Sequence, residues 1–160
     1  MSRVPVAHLV HGFLGAGKST FARRLARELD AVRYCPDDLM VARHGHDPPA
    51  SEFDRYLEAV YAELNEKWPQ TLATGTDVVL DFGFWTRAWR DHARALAARV
   101  PATAKLYWIS CSEETARARC RERNARPGES LIVTESTFDA LKPRFQPLGS
   151  DEPFELVSTE

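Results

Sequence analysis

The run Gly12-Phe13-Leu14-Gly15-Ala16-Gly17-Lys18-Ser19, followed by Thr20, constrains this chain more than any other stretch. It fits the spacing GxxxxGK[ST]. It stands between an apolar, β-prone run, Val6 to Val10, and a segment of helical spacing that begins at Phe21. A strand that turns through glycines into a helix aims successive backbone N–H groups inward, where they cradle phosphate. The helix N-terminus adds partial positive charge. Lys18 is then placed to reach the β- and γ-phosphates, and the Ser19 hydroxyl is the expected ligand of Mg²⁺. A glycine-rich turn that binds nothing is the alternative. The complete pattern in its strand–loop–helix setting favours a triphosphate cradle built from residues 12–20. The motif alone does not separate a kinase from a GTPase or a mechanical ATPase.

Downstream, short β-prone runs alternate with longer segments of helical spacing. Asp77 to Phe82 and Lys105 to Ser110 read as strands, and Ala31 to Cys35 as a weaker one. Phe53, Tyr56, Leu57, Val60, Tyr61, Leu64 and Trp68 form a stripe at 3–4-residue spacing, so a long amphipathic helix is expected from Glu52 to Trp68. Trp89, Ala93, Leu96 and Val100 repeat the pattern, as do Phe138, Leu141 and Phe145. Ser112 reads as an N-cap, with Glu113 and Glu114 in the first turn. Such alternation predicts an α/β fold with a parallel sheet covered on both faces. Residues 44–51 and 124–134 read as loops inside one domain, 1–160.

Composition narrows the setting. A formal net charge of −2 gives no global drive toward nucleic acid or anionic membrane. The three cysteines, Cys35, Cys111 and Cys120, lack CxxC spacing and imply neither a zinc site nor a disulfide framework. The N-terminus has no signal-peptide h-region, and no apolar run approaches the roughly 20 residues of a membrane span. The expected location is the cytoplasm.

Two acidic positions follow strands. Asp37 and Asp38 come just after the second strand, on the side where open α/β sheets bind ligands. A carboxylate there can orient an attacking hydroxyl and accept its proton. Asp37 is assigned that role, and Asp38 is divided between the acceptor site and a helix cap. Asp81 ends the third strand, where an acid needs partners: a Mg²⁺-bound water, an acceptor hydroxyl or an arginine. Beside it, Phe82, Phe84 and Trp85 flank Gly83, and Trp85 is a candidate wall of the acceptor pocket.

Five arginines lie within ten residues: Arg117, Arg119, Arg121, Arg123 and Arg126. Arg119 and Arg123 share one helical face and Arg117 and Arg121 another. The second pair reads as a solvated face matched by Glu113, Glu114 and Glu122. The first, ahead of a glycine-containing loop, reads as a lid over approximately 117–134 that stabilises a transferring phosphoryl group. His44 and His46 are too short a signal for a metal site.

These motifs resemble the P-loop kinases of the polynucleotide-kinase-like and chloramphenicol-phosphotransferase-like group. The resemblance rests on GFLGAGKST, PDDL, VVLDFGFWTRAWR, SEETARARCRERNARP and TFDALKPRFQPLGSDEPFE in that order, and spans nearly the whole chain. It implies a three-layer, nucleoside-kinase-like sandwich with a short arginine-bearing lid. It also implies Asp37 as general base, Asp81 on the acceptor side, and Arg119 and Arg123 on the nucleotide, with Arg123 at the transition state. Phage polynucleotide kinase carries an arginine three residues after its base; here Met40 stands there, with Arg43 as a candidate substitute. The chain departs from the polynucleotide pattern at this point.

The resulting expectation is an enzyme that moves the γ-phosphate of ATP, with Mg²⁺, to a hydroxyl of a small molecule such as a metabolite or antibiotic. A 5′-hydroxyl polynucleotide kinase is the alternative enzyme, and a nucleotide-dependent regulatory ATPase the alternative of another class. No Asn/Thr-Lys-x-Asp guanine-reading motif is present, which favours ATP. The acceptor and the oligomeric state are not legible.

Overall fold

A computed structural model of the protein describes residues 3–126 and 130–160. The strands are β1 (Val6–His11), β2 (Val32–Tyr34), β3 (Val78–Gly83), β4 (Thr103–Ser110) and β5 (Glu155–Ser158). They form one sheet in the order β2-β3-β1-β4-β5, and every neighbouring pair is parallel. The helices are α1 (Lys18–Leu29), α2 (Pro36–His44), α3 (Ala50–Ala73), α4 (Arg87–Arg99), α5 (Glu113–Asn124) and α6 (Glu135–Leu141).

Strand alternation divides the core between the two faces of the sheet. Ala7 and Leu9 of β1, Val78 and Leu80 of β3, and Leu106 of β4 meet Val60, Leu64, Trp68 and Leu72 of α3 and Ala93 and Ala97 of α4. Val10, Val79, Tyr107 and Ile109 point the other way, onto Phe21 and Ala22 of α1. Burial on both faces explains why β1 and β3 are nearly continuous apolar runs. Asp81 follows Val79 by two residues and so falls on the α1 side of the sheet.

The structure corrects several boundaries. Helix α3 runs from Ala50 through Pro69 to Ala73, beyond the expected end at Trp68. Proline removes one backbone donor there, and the complete burial of Leu72 on the next turn offsets the loss. The weak 31–35 candidate is the three-residue β2. Strand β5 gave no sequence signal because ELVS is short, polar at both ends and mostly exposed. Ser112 caps α5 as expected, its hydroxyl accepting from the Thr115 N–H at 3.2 Å.

Of the expected lid, residues 117–124 belong to α5 and 127–129 lie outside the described residues. Asn124 ties the two sides of that segment together. Its amide nitrogen donates to the Val133 carbonyl at 2.7 Å, and its side-chain oxygen accepts from the Val133 N–H at 3.0 Å. Ile132 N–H then reaches the His46 carbonyl at 2.9 Å. Among the described residues no helix is long and apolar enough to cross a membrane.

Candidate active site

The glycine loop leaves the carboxyl end of β1, the central strand, with β3 on one side and β4 on the other. Gly12 N–H donates to the Gly83 carbonyl at 3.1 Å, and the Gly12 carbonyl accepts from Trp85 Nε1 at 3.0 Å. Gly15 and Gly17 have φ of 72° and 95°, which favour residues without a Cβ. A Cβ on Gly15 would also strike the Ala116 carbonyl of α5. The apolar positions of the motif act as anchors. The Phe13 ring lies 5.0 Å from Phe138, 5.1 Å from Trp85 and 5.5 Å from Phe145, while Leu14 packs on the Ala116–Cys120–Phe138 cluster. Ala16 is buried. Lys18 Nζ donates to the Phe13 carbonyl at 2.7 Å, folding back over the loop. Burial lowers the Lys18 pKa, opposed by the charges of Asp81 and Asp37. Thr20 is exposed in the first turn of α1.

Ser19 and Asp81 meet directly: Ser19 Oγ donates to Asp81 Oδ2 at 2.8 Å. A hydroxyl and a carboxylate at this corner are hard oxygen donors and fit Mg²⁺. The residue that sequence reading missed here is Arg33 of β2. Its Nε and Nη2 donate to Asp81 Oδ2 at 3.1 and 2.7 Å, and its Nη1 to Asp38 Oδ2 at 2.6 Å. The detectable signal was a guanidinium inside a strand, Val32-Arg33-Tyr34, four residues ahead of an acidic pair. Asp38 therefore makes an ion pair and caps nothing; the N-cap of α2 is Cys35, with no side-chain cap bond.

Asp37 lies in the first turn of α2, and among the described residues its carboxylate forms no hydrogen bond. It is open to solvent yet ringed by protein, and this desolvation raises its pKa. Lys18 works against the rise, and Asp81 and Asp38 add to it. Tyr61 of α3 is close enough to feel the Asp37 charge, and its hydroxyl donates to the Phe82 carbonyl at 3.2 Å. Burial pushes the Cys35 thiol up, so it stays protonated.

The arginines of α5 and of the residues after it differ in their surroundings. Arg117 binds Glu135 and Asp139, Arg121 binds Glu135 at 2.9 Å, and Arg126 pairs with Glu122. Arg119 turns inward. Its Nη1 donates to the Gly15 carbonyl at 3.2 Å and to Thr159 Oγ1 at 3.0 Å, and its Nη2 reaches the Thr159 carbonyl. Arg119, Glu122, Arg123, Arg126 and Ser130 line a cavity of about 200 Å³. The Arg123 charge contributes to lowering the pKa of both Lys18 and Asp37, which places it among the same groups.

Trp85 lies against the phosphate loop through Gly12 and Phe13, and Phe82 and Phe84 are core residues. The turn between them is strained: Gly83 and Phe84 have φ of 80° and 50°. Phe84 holds this left-handed conformation because its carbonyl accepts from both His11 Nδ1 and Arg90 Nη1, each at 2.9 Å. Burial brings the His11 pKa down to about 4, so the ring is neutral when it donates. Arg90 is fully buried and forks onto Glu152, fixing the 146–152 segment against α4.

A glycine cradle, an inward lysine, a serine–aspartate corner and a carboxylate without a hydrogen bond among the described residues, at one end of a parallel sheet, define a nucleotide-binding P-loop kinase. The chain belongs to the AAA domain family, whose model matches residues 8–148. It is 27% identical over 157 residues to the shikimate kinase of Bradyrhizobium diazoefficiens, covering 93% of this chain and 70% of that protein. Among solved structures, Kti12 of Chaetomium thermophilum in complex with ADP-AlF3 superposes with a TM-score of 0.71 at 22% identity, covering 96% of this chain and 89% of that one. A gluconokinase from Sinorhizobium meliloti gives 0.65 at 18%, covering 98% and 83%.

Proposed function

We propose that the protein is a cytoplasmic enzyme that transfers the γ-phosphoryl group of ATP to a hydroxyl of a small molecule. The observation that carries this reading is Asp37: a carboxylate with no hydrogen bond among the described residues, beside Lys18 and the Ser19–Asp81 corner, with its pKa raised above the ordinary aspartate value by desolvation. A carboxylate able to accept a proton can serve an alcohol acceptor.

In this mechanism the loop N–H groups and Lys18 hold the β- and γ-phosphates. Ser19 and Asp81 would hold Mg²⁺, which when bound neutralises the phosphate oxygens. The acceptor hydroxyl donates its proton to Asp37 as its oxygen bonds to the γ-phosphorus, and the bond to the β-bridging oxygen breaks, leaving ADP. Arg123 stabilises charge on the transferring group, and Arg119 braces the loop through Gly15.

Shikimate kinase and gluconokinase among the similar proteins support a compact polyhydroxylated acceptor. Two features speak against a polynucleotide. Met40 is fully buried in the core, and Arg43 is engaged by both oxygens of Glu63 at 2.8 Å.

The test is γ-labelled ATP incubated with panels of sugars, hydroxy acids, antibiotics, nucleosides and oligonucleotides. Label is expected in one small-molecule class, and label passing only to water refutes the reading. Asp37→Asn is expected to lower transfer by about 10²–10⁴-fold with ADP affinity nearly unchanged. Full transfer in that variant removes the base assignment.

A further inference from the structure

Arg33 is a charged residue in a strand, with its side chain only 15% exposed, and two of the groups it touches, Ser19 and Asp81, belong to the phosphoryl-transfer machinery. Asp81 Oδ2 receives three donors: Ser19 Oγ at 2.8 Å, Arg33 Nε at 3.1 Å and Arg33 Nη2 at 2.7 Å. A carboxylate offers about four acceptor sites over two oxygens, so this one oxygen is fully engaged. Arg33 Nη2 also stands 3.4 Å from Ser19 Oγ, the other donor of the corner that fits Mg²⁺. The third arm of the fork, Nη1, holds Asp38, the residue next to Asp37. A single guanidinium therefore spans the metal-side pair and the helix that carries the proposed base.

We propose that Arg33 is a positioning residue with two separable actions. Its charge competes with the divalent cation for the Ser19–Asp81 corner, and its fork ties that corner to α2 and so holds Asp37 in place. The inference rests on the phosphotransferase reading above.

The two actions have different chemical requirements. Competition needs only a positive charge. A cation on Ser19 Oγ lies within a few ångströms of the guanidinium, and like charges at that range repel strongly in a partly buried site. The corner consequently favours Mg²⁺ that arrives with the negative phosphates over the free ion. Bridging needs the fork. A lysine ammonium is a point charge that can hold Asp81 or Asp38 but does not reproduce the planar, multi-arm geometry that reaches both.

The experiment is titration calorimetry of ADP into the intact protein, in Mg²⁺ and separately in EDTA, for the wild type, Arg33→Gln, Arg33→Lys and Asp38→Asn. The readout is the ratio of the two dissociation constants, with kcat and acceptor KM measured alongside. Arg33→Gln is expected to raise the Mg²⁺ enhancement of ADP affinity by about tenfold or more, because Asp81 is left without its cation. Arg33→Lys retains the charge and is expected to stay within about threefold of wild type. Asp38→Asn, which keeps Arg33 and cuts the bridge, is expected to leave the ratio unchanged while kcat falls.

A merely structural arginine would lower the melting temperature without moving the ratio, and that result overturns the competition. Equal ratios for Arg33→Gln and Arg33→Lys overturn it as well, and an unchanged kcat in Asp38→Asn overturns the bridge. If Arg33→Gln does not fold, the Arg33→Lys and Asp38→Asn pair still decides. A lysine ratio outside threefold refutes the charge role, and unchanged kcat in both refutes the bridge. Wild-type protein that binds no ADP in either buffer sinks the phosphotransferase reading itself; binding whose Mg²⁺ ratio ignores Arg33 sinks this inference alone.

Discussion

Replacing Glu152 by glutamine should unlock the segment that packs on α4, and the size of the effect follows from the carboxylate's surroundings. Arg90 Nε donates to Glu152 Oε2 at 2.9 Å and Arg90 Nη2 to Oε1 at 3.0 Å. Arg94 adds a bond to Oε2 at 2.8 Å and the Gly149 N–H one to Oε1 at 2.8 Å. Burial pushes this carboxyl up, but the donors outweigh it and hold the group at about 2 against an ordinary 4.5. That difference corresponds to about 3 kcal/mol of folding free energy. The native pKa is the depressed one. The stabilisation is therefore complete above the unfolded value of 4.5 and is lost as pH falls toward about 2.

Glutamine resembles the protonated acid at every pH. Near neutrality Glu152→Gln should cost about 3 kcal/mol, a fall in Tm of roughly 6–12 °C for a chain of this size. Calorimetric or circular-dichroism melts of both proteins, at several pH values from neutral to about 2.5, measure the gap. It should be widest near neutrality and close progressively below 4.5. A gap below about 1 kcal/mol near neutrality, or one that does not change with pH, refutes the reasoning.

Two further outcomes follow from the site. Because the Asp37 pKa is raised, the acid limb of kcat/KM should lie above the ordinary aspartate value of 3.8, with activity retained above the limb and lost as pH falls through it; a limb at or below 3.8 contradicts the assignment. Trp85→Phe keeps a ring against Phe13 but removes the Nε1 donor from the Gly12 carbonyl. It should destabilise by about 1–3 kcal/mol and weaken ADP binding measured by calorimetry, whereas an unchanged ADP dissociation constant means that the bond does not hold the loop.

Residues 12–20, Asp37, Asp81, Arg119 and Arg123 could be singled out as candidates because each is a residue type whose chemistry depends on local spacing: a turn, a strand end, a helix face. Arg33 could not, since its meaning lies in three partners 5 to 48 positions away, on α2, α1 and β3, which only the fold brings together. The brace that Trp85 supplies to the phosphate loop was hidden for a related reason. An aromatic after a glycine can line a pocket or brace a backbone, and the choice is made by the Gly83–Phe84 turn that swings it toward Gly12. The extension of α3 past Pro69 and the existence of β5 likewise depend on burial and pairing supplied by the rest of the fold.

The attachment of Thr159 to the phosphate loop bears on how the protein is made. Its hydroxyl bonds to the Ala16 carbonyl across 143 positions of sequence, and it also holds Arg119. During synthesis the glycine loop is made well before residue 159, whose side chain supplies one of its braces. Before that, β1, apolar on both faces, waits for β3 and β4, and such long-range parallel pairing is slow. A growing chain therefore passes through an interval with its central strand uncovered, when a chaperone or an aggregate can capture it. Nucleotide stabilises only chains whose cradle is already formed, so its protection by mass action comes after that interval.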